Sequence, residues 1–280
     1  MIYSYSDIYK TLNNQKPIRL GVINPQSDYL LEAISKAVEF GWIEPISFFS
    51  SENESASYKA IKSVNNGDCQ LLMKGDINTS TLLKAVLDSE FGIKTEKILS
   101  HIAVIESPKY HKLLLISDGG VNIKLDEPII DSIIHNSVIF SKCLEIAKPK
   151  IGLLTLVEQI NPMLPETQIA YNIFQKNKEN TKIIIEGPIS LDVAISKESA
   201  NKKNILSRIS GQTDIIIGPS ISTSNMIVKA LMSLSNAMGG GIILGAKCPI
   251  VLLSRSDSIN TKLNSIALSL LMLKRGDYGY

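Results

Sequence analysis

Residues 19–49, RLGVINPQSDYLLEAISKAVEFGWIEPISFF, contain one full cycle of the pattern that decides the fold. Arg19 to Ile23 is a short apolar run that closes on Asn24-Pro25. Ser27-Asp28 then suits a helix start, and Leu30, Leu31, Ile34, Ala37 and Val38 recur at helical spacing until Gly41 ends the periodicity. Ile43 to Phe49 returns to strand character. The alternation continues with a helix over Glu54 to Val64, a strand over Cys69 to Met73 and a helix over Thr79 to Leu87. Strands joined through single helices predict an α/β fold with a largely parallel sheet covered on both faces.

The texture changes near Gly92 to Ile98. Ser100 to Ser107 and Lys112 to Ser117 are strand-like runs too close together for a crossover helix, so they predict an antiparallel pair and the start of a second unit. Beyond them the pattern predicts a helix over Ile129 to Ala147, a strand over Lys150 to Leu156 and a helix over Glu166 to Phe174. Lys182 to Ile185 is a strand ended by Gly187-Pro188, and Leu191 to Ile195 and Ala200 to Arg208 are helices. Asp214 to Ile217 is a strand ended by Gly218-Pro219, and Ser222 to Met238 is a helix. Gly239-Gly240-Gly241 then precedes two apolar runs, Ile242 to Leu244 and Ile250 to Leu253. An amphipathic helix closes the chain, with Leu263, Ile266, Ala267, Leu270 and Leu271 on one face.

In 280 residues, 44% apolar content supports a sizeable core. Twenty-nine basic against 27 acidic residues leave a formal charge of +2, too weak a field for a nucleic-acid partner. The opening residues lack an apolar signal segment and run straight into the first strand. No apolar stretch approaches the roughly 20 residues of a membrane span. A cytoplasmic, non-membrane protein is expected. Cys69, Cys143 and Cys248 are scattered, as are His101, His111 and His135, so neither a disulfide framework nor a metal site is indicated.

In such a sheet, ligands bind beyond the carboxyl ends of the strands, where loops and helix starts offer free N–H groups to anions. Four segments end strands in this way: Lys74-Gly75-Asp76 with Thr79-Ser80; Gly187-Pro188; Gly218-Pro219-Ser220 with Asn225; and Ser254-Arg255-Ser256-Asp257-Ser258. In the last, a hydroxyl beside a guanidinium offers a short donor and a forked cation to a phosphate or carbonyl oxygen, although an ordinary helix start capped by Ser256 or Ser258 has the same spacing. Lys84 and Lys229 fit either an anion site or a solvent-facing helix surface. Asn225 either faces a ligand or braces the Gly218-Pro219 turn. Gly245 and the triple glycine either admit a ligand closely or make tight turns, and they match neither a dinucleotide fingerprint nor a P-loop.

The segments EGPISLDVAIS from Glu186, GQTDIIIGPSISTSNMIVKAL from Gly211 and GGIILGAKCPIVLLSRSDSINTKLNSIALSL from Gly240 make the chain resemble the phosphate acetyltransferase and butyryltransferase family. LLMKGDINTSTLLKAVLD from Leu71, SHIAVIESPKYHKLLLISDGGVNI from Ser100 and VEQINPMLPET from Val157 extend the likeness over nearly the whole chain. The resemblance implies two α/β domains of isocitrate/isopropylmalate dehydrogenase type with a cleft between them. One would comprise residues 1–94 with 241–280, the other 95–240. It implies a homodimer or larger homo-oligomer that moves an acyl group reversibly between coenzyme A and inorganic phosphate, with neither metal nor redox cofactor.

By the same resemblance, Ser254 and Arg255 are the active-site pair, and Thr79 and Ser80 form the phosphate-side loop. Lys84 falls where acetyl-specific relatives carry a second arginine. Gly187, Pro188, Gly218, Pro219, Asn225, Lys229, Gly245 and Asp257 are candidates for the substrate cleft. An aspartate of acetyl-specific relatives aligns near Thr261, and Ser224 stands where relatives often have glycine. The implied reaction is direct attack of phosphate on the thioester, with a butyryl or similar short acyl group. Alternatives are a non-catalytic acyl-CoA or phosphate-binding homologue, a preference for acetyl, propionyl or branched acyl groups, and a decarboxylating dehydrogenase of related fold.

Overall fold

The structure, a computed structural model, describes residues 1–252, 254 and 256–276. In chain order the elements are α1 (Tyr5–Leu12), β1 (Ile18–Ile23), α2 (Asp28–Glu39), β2 (Ile43–Phe48), α3 (Asn53–Asn65), β3 (Leu71–Lys74) and α4 (Thr79–Val86). There follow β4 (Ser100–Glu106), β5 (Leu114–Ser117), α5 (Glu127–Cys143), β6 (Lys150–Leu154), α6 (Pro165–Lys176), β7 (Ile184–Ile189), α7 (Leu191–Ile195), α8 (Lys197–Lys202), β8 (Ile215–Ile217) and α9 (Ile221–Leu234). The last are β9 (Met238–Leu244), β10 (Ile250–Val251) and α10 (Ile259–Arg275). They group into a terminal unit, Ser4–Leu99 with Met238–Tyr280, and a central unit, Met1–Tyr3 with Ser100–Ala237.

In the terminal unit the strands run in the order β2-β1-β3-β10-β9. The first four are parallel, and β9 lies antiparallel to β10. All of β3 is buried, as expected of a parallel strand covered on both faces, whereas the edge strand β2 buries only Ile43 fully and carries Pro45, whose missing donor an edge tolerates. The central unit orders its strands β4-β5-β8-β6-β7, antiparallel between β4 and β5 and parallel thereafter. Ile105, Ile116, Ile216 and Ile189 from its sheet pack with Val193 and Ile209 in one core cluster. The α/β alternation and the β4–β5 pair are as the sequence predicts.

Several local expectations fail for identifiable reasons. The chain does not run straight into β1: Ser4 caps an additional helix by accepting the Asp7 N–H, and α1 buries Tyr5, Ile8 and Leu12. The helix expected to reach Arg208 stops at Lys202, because Asn204 turns left-handed and Glu186 captures the Ser207 hydroxyl and the Arg208 N–H. β6 ends at Leu154 rather than Leu156, where Thr155 donates to the Val157 carbonyl in a turn. β7 does not end before Gly187-Pro188 but runs through it, since this strand is an edge and Gly187 has no Cβ to press into Leu153. α9 ends at Leu234, ahead of a left-handed Asn236, and Met238 belongs to β9.

The triple glycine is strand rather than turn. Gly240 lies where a Cβ would crowd the Asn264 Cβ at 3.0 Å and the Tyr5 hydroxyl at 2.9 Å, so glycine lets α10 and α1 approach the sheet. For the same reason α10 is not amphipathic: it packs against α1, α2 and β9, and Thr261 through Met272 are all buried. The expected strand from Ile250 is seen as Ile250–Val251, and its far end, Leu253, lies outside the described residues.

Candidate functional site

Because β2, β1, β3 and β10 are parallel, their carboxyl ends share one edge of the terminal unit, and α2, α3, α4 and α10 all begin there. Val251 pairs alongside Met73, so the chain leaves β10 toward Ser254 beside the point where it leaves β3 toward Thr79 and Ser80. Neighbouring strands lie only about 5 Å apart, which brings the two loops to adjacent positions on one edge. Four helix starts there place the positive ends of their dipoles on the same rim.

Long-range polar ties shape this rim. Asn24, buried and left-handed, accepts the Ser50 N–H at 2.9 Å and donates its amide to Ser50 O and to Asn53 Oδ1, joining the loops after β1 and β2. Asp76 joins the loops after β3 and β1: its Oδ2 accepts the N–H groups of Gln26 and Ser27, both at 2.8 Å, and its own N–H donates to Asn24 O. Burial opposes ionisation of Asp76, but the two N–H donors and the Lys74 ammonium outweigh it and hold the carboxyl below its usual range. Lys74 is buried at the end of β3 and donates to the carbonyls of Gly75 and Ile77. A Cβ on Gly75 would run into the Ile23 carbonyl oxygen, so this turn requires glycine.

The loop after β10 is organised by Asp257, whose carboxylate accepts the Ser254 N–H at 2.7 Å while its own N–H donates to Ser254 O. The exposed Ser254 hydroxyl lies 3.0 Å from that of Ser256. Ser258 caps α10 by accepting the Thr261 N–H at 3.1 Å, and the two hydroxyls are 3.0 Å apart. Thr261 therefore serves the helix cap. From the first turn of α10, Lys262 reaches back beneath the loop and donates to the Asp257 carbonyl; it is 3% exposed. Burial draws its ammonium below the ordinary lysine range, against the opposing pull of Asp257 and Asp76. Arg255 lies outside the described residues. Beside the loop runs a groove of about 570 Å³, lined by Tyr29, Lys36 and residues 256–260.

Thr79 opens α4 with Asn78 as its cap residue, and Ser80 is exposed next to it. Lys84, one turn further on, is an exposed partner of Glu54 on α3 at 2.8 Å, and this bond raises its pKa above the ordinary value. Gly245 is not on this rim. It follows β9 and precedes β10, at the opposite edge, with φ +100° and its face against the Ile98 carbonyl.

The remaining candidates belong to the central unit. Gly187 and Pro188 lie within β7, and Gly218 and Pro219 follow β8. Asn225 on α9 donates to the Gly119 carbonyl at 2.9 Å and so braces the loop after β5. Asp118 holds that loop from the other side by accepting the N–H groups of Gly120, Val121 and Asn122. Ser224 turns inward, buried, with its hydroxyl in the space a Cβ on Gly218 would need. Lys229 is exposed.

The sequence marks Asn24 as a strand end and Lys74 and Asp76 as part of a candidate ligand loop without giving any of them a partner, and it does not mark Lys262 at all. A signal for Lys262 existed: it stands four and eight residues before Ile266 and Leu270, both predicted on the buried face, so a charge was being carried into the core. Among the described residues, no three His, Cys, Asp or Glu side chains are grouped to hold a metal ion, and no helix is long and apolar enough to cross a membrane.

These features define an α/β protein whose polar loops leave the carboxyl edge of a parallel sheet. The isocitrate dehydrogenase from Methylococcus capsulatus shares this fold, with a TM-score of 0.53 over 93% of the chain and 86% of that structure, at only 11% identity. The sequence model of the family described as "Phosphate acetyl/butaryl transferase" matches residues 45–270, and the chain belongs to that family. It is 33% identical to the phosphate butyryltransferase of Clostridium acetobutylicum over 97% of this chain and 99% of that one. It is 34% identical to the phosphate acetyltransferase of Thermotoga maritima over 90% and 94% of the respective chains. A branched-chain phosphotransacylase from Enterococcus faecalis V583 superposes with a TM-score of 0.83 at 30% identity, over 92% of this chain and 99% of that structure.

Proposed function

We propose that this chain is an enzyme that transfers a butyryl or similar short acyl group reversibly between coenzyme A and inorganic phosphate. The observation that supports the reading is the pairing of β3 with β10, so that the loop leading to Thr79-Ser80 and the loop of Ser254 leave neighbouring strand ends. In this reaction a phosphate oxygen attacks the thioester carbonyl carbon, the tetrahedral adduct collapses, the C–S bond breaks and coenzyme A leaves as its thiolate. The products are acyl phosphate and free coenzyme A, and nothing beyond acyl-CoA and phosphate enters the balance.

In our reading, Thr79, Ser80, Lys84 and Arg255 position phosphate, and Ser254 and Arg255 stabilise charge on the carbonyl oxygen or the departing sulfur. The thiolate of a thiol with an ordinary pKa near 8.5 is a tolerable leaving group beside a cation or helix start, which suits a site where the aspartate of acetyl-specific relatives aligns near Thr261. Two added methylenes contribute about 0.8 kcal/mol each when buried, so a modest apolar pocket favours four carbons over two by about tenfold. We place the enzyme in the cytoplasm as a homodimer or larger homo-oligomer.

The test is thiol release by purified protein with phosphate and a panel of acetyl-, propionyl-, butyryl- and branched-acyl-CoA. Phosphate-dependent release fastest with butyryl-CoA is expected, and Arg255→Ala should lower kcat by about 10² to 10³. A folded Arg255→Ala protein with undiminished turnover would remove that residue from the mechanism. Binding of butyryl-CoA without turnover in either direction would leave the alternative of an acyl-CoA-binding homologue, a reading favoured by the engagement of Lys84 with Glu54.

A further inference from the structure

Lysine at position 262 is an expensive way to fill a helix core. Its neighbours on α10, from Thr261 to Met272, are buried on every side, and a leucine or methionine there would need no partner for a charge. A lysine stem can run along apolar surface while its head reaches water, yet this one is 3% exposed and turns its head to the Asp257 carbonyl. Among the described residues it makes no ion pair, and the two nearby carboxylates acting on it belong to Asp257 in its own loop and Asp76 in the loop after β3. Position 261 cannot do this work, because Thr261 is committed to the Ser258 cap.

We propose that Lys262 is a positioning residue for the acyl-transfer loop: by gripping the Asp257 carbonyl it fixes the carboxylate that holds the Ser254 N–H, and so sets where Ser254 stands. The chain of contacts is continuous from the Lys262 ammonium through the Asp257 carbonyl and carboxylate to the Ser254 N–H. Lys262 does not touch substrate; it acts through the loop. The inference rests on the acyl-transfer reading of that loop and adds a residue that the reading does not use.

Lys262→Met, Lys262→Gln and Lys262→Arg in the full chain test it by two measurements. In hydrogen exchange, peptides covering residues 250–258 should exchange faster in Lys262→Met and Lys262→Gln while peptides of the central unit keep wild-type rates. In phosphate-dependent thiol release from butyryl-CoA, kcat should fall about 10- to 100-fold with KM little changed, since a misplaced loop damages alignment more than binding, and Lys262→Arg should recover part of the loss. Wild-type loop exchange in Lys262→Gln, or a loosened loop with undiminished kcat, would overturn the proposal. Should Lys262→Met fail to fold, the contrast between Gln and Arg decides in the same way. Absence of thiol release by the wild-type protein with every acyl-CoA would instead refute the acyl-transfer reading, and the exchange measurement would still judge whether Lys262 orders the loop.

Discussion

The amino-terminal edge of the central unit and the carboxyl-terminal edge of the terminal unit each bury a lysine, and each treats it differently. Lys112, just before β5, meets the Asp214 carboxylate at 2.5 Å and the Gln212 carbonyl at 2.6 Å. The second oxygen of Asp214 accepts the Lys150 N–H, so one closed ion pair ties the starts of β5, β8 and β6. Lys262 is held by a carbonyl, and around it the charges of Lys74, Asp76 and Asp257 are spent on carbonyls and backbone N–H groups of several loops. At the first edge charge is cancelled pairwise and secures the sheet. At the second it is distributed through loops and secures their shape, which suits the rim that we propose meets the phosphate.

The sharpest way to break this contrast is Lys112→Met. It leaves the Asp214 carboxylate buried without its cation and should destabilise the protein by about 3–5 kcal/mol, read as a lower urea midpoint. A loss below about 1 kcal/mol would mean that the pair is not the clamp its geometry describes.

Asp76→Ala probes the other edge and should cost about 1–3 kcal/mol, because the Gln26 and Ser27 N–H groups lose their acceptor. The pH dependence follows from the lowered pKa of Asp76 in the folded protein. Its contribution to stability is present above the unfolded aspartate value near 3.9 and disappears as pH falls through the lower folded value. The stability difference between wild type and Asp76→Ala should therefore be level from pH 5 to 7, by about the size of the lost bonds, and shrink in stronger acid. A difference that grew on acidification would contradict the assignment.

What the sequence revealed divides along the same line between local and distant causes. The strand-helix alternation of the first ninety or so residues is legible because apolar period is a property of neighbours, and the polar strand ends at Thr79-Ser80 and Ser254 stand out for that reason. α1 escaped notice because its amphipathic pattern is brief and aromatic, and only the packing of Tyr5, Ile8 and Leu12 makes it a helix worth forming. Gly239-Gly240-Gly241 has the composition of a turn, and its role as a strand becomes apparent only when α10 is known to press against it. The ties that shape the rim link residues far apart in sequence: Asp76 to Gln26 and Ser27, Asn24 to Ser50 and Asn53. Nothing in the local pattern of either partner announces the other. The direction of Lys84 is a fact of the same kind, set by Glu54 on another helix.

That pair offers the smallest effect and the finest test of the comparison. Lys84 and Glu54 are both largely exposed, with side chains 68% and 52% accessible, so water competes for the bond and removing it should leave the unfolding midpoint almost unchanged. Its consequence lies in the affinity for phosphate. If Lys84 belongs to the distributed charge of the rim, Lys84→Ala should raise the phosphate KM by about fivefold or less with kcat nearly constant, as the loss of one screened contact made equally in ground and transition states. Glu54→Gln should move the same constant downward, because it frees the ammonium from its competitor while preserving side-chain shape. Opposite shifts in phosphate KM, measured at low ionic strength where exposed charges act most strongly, would join Lys84 to the site. Identical behaviour of both variants and wild type would return the pair to the class that Lys112 and Asp214 represent in buried form: charges whose business is with each other.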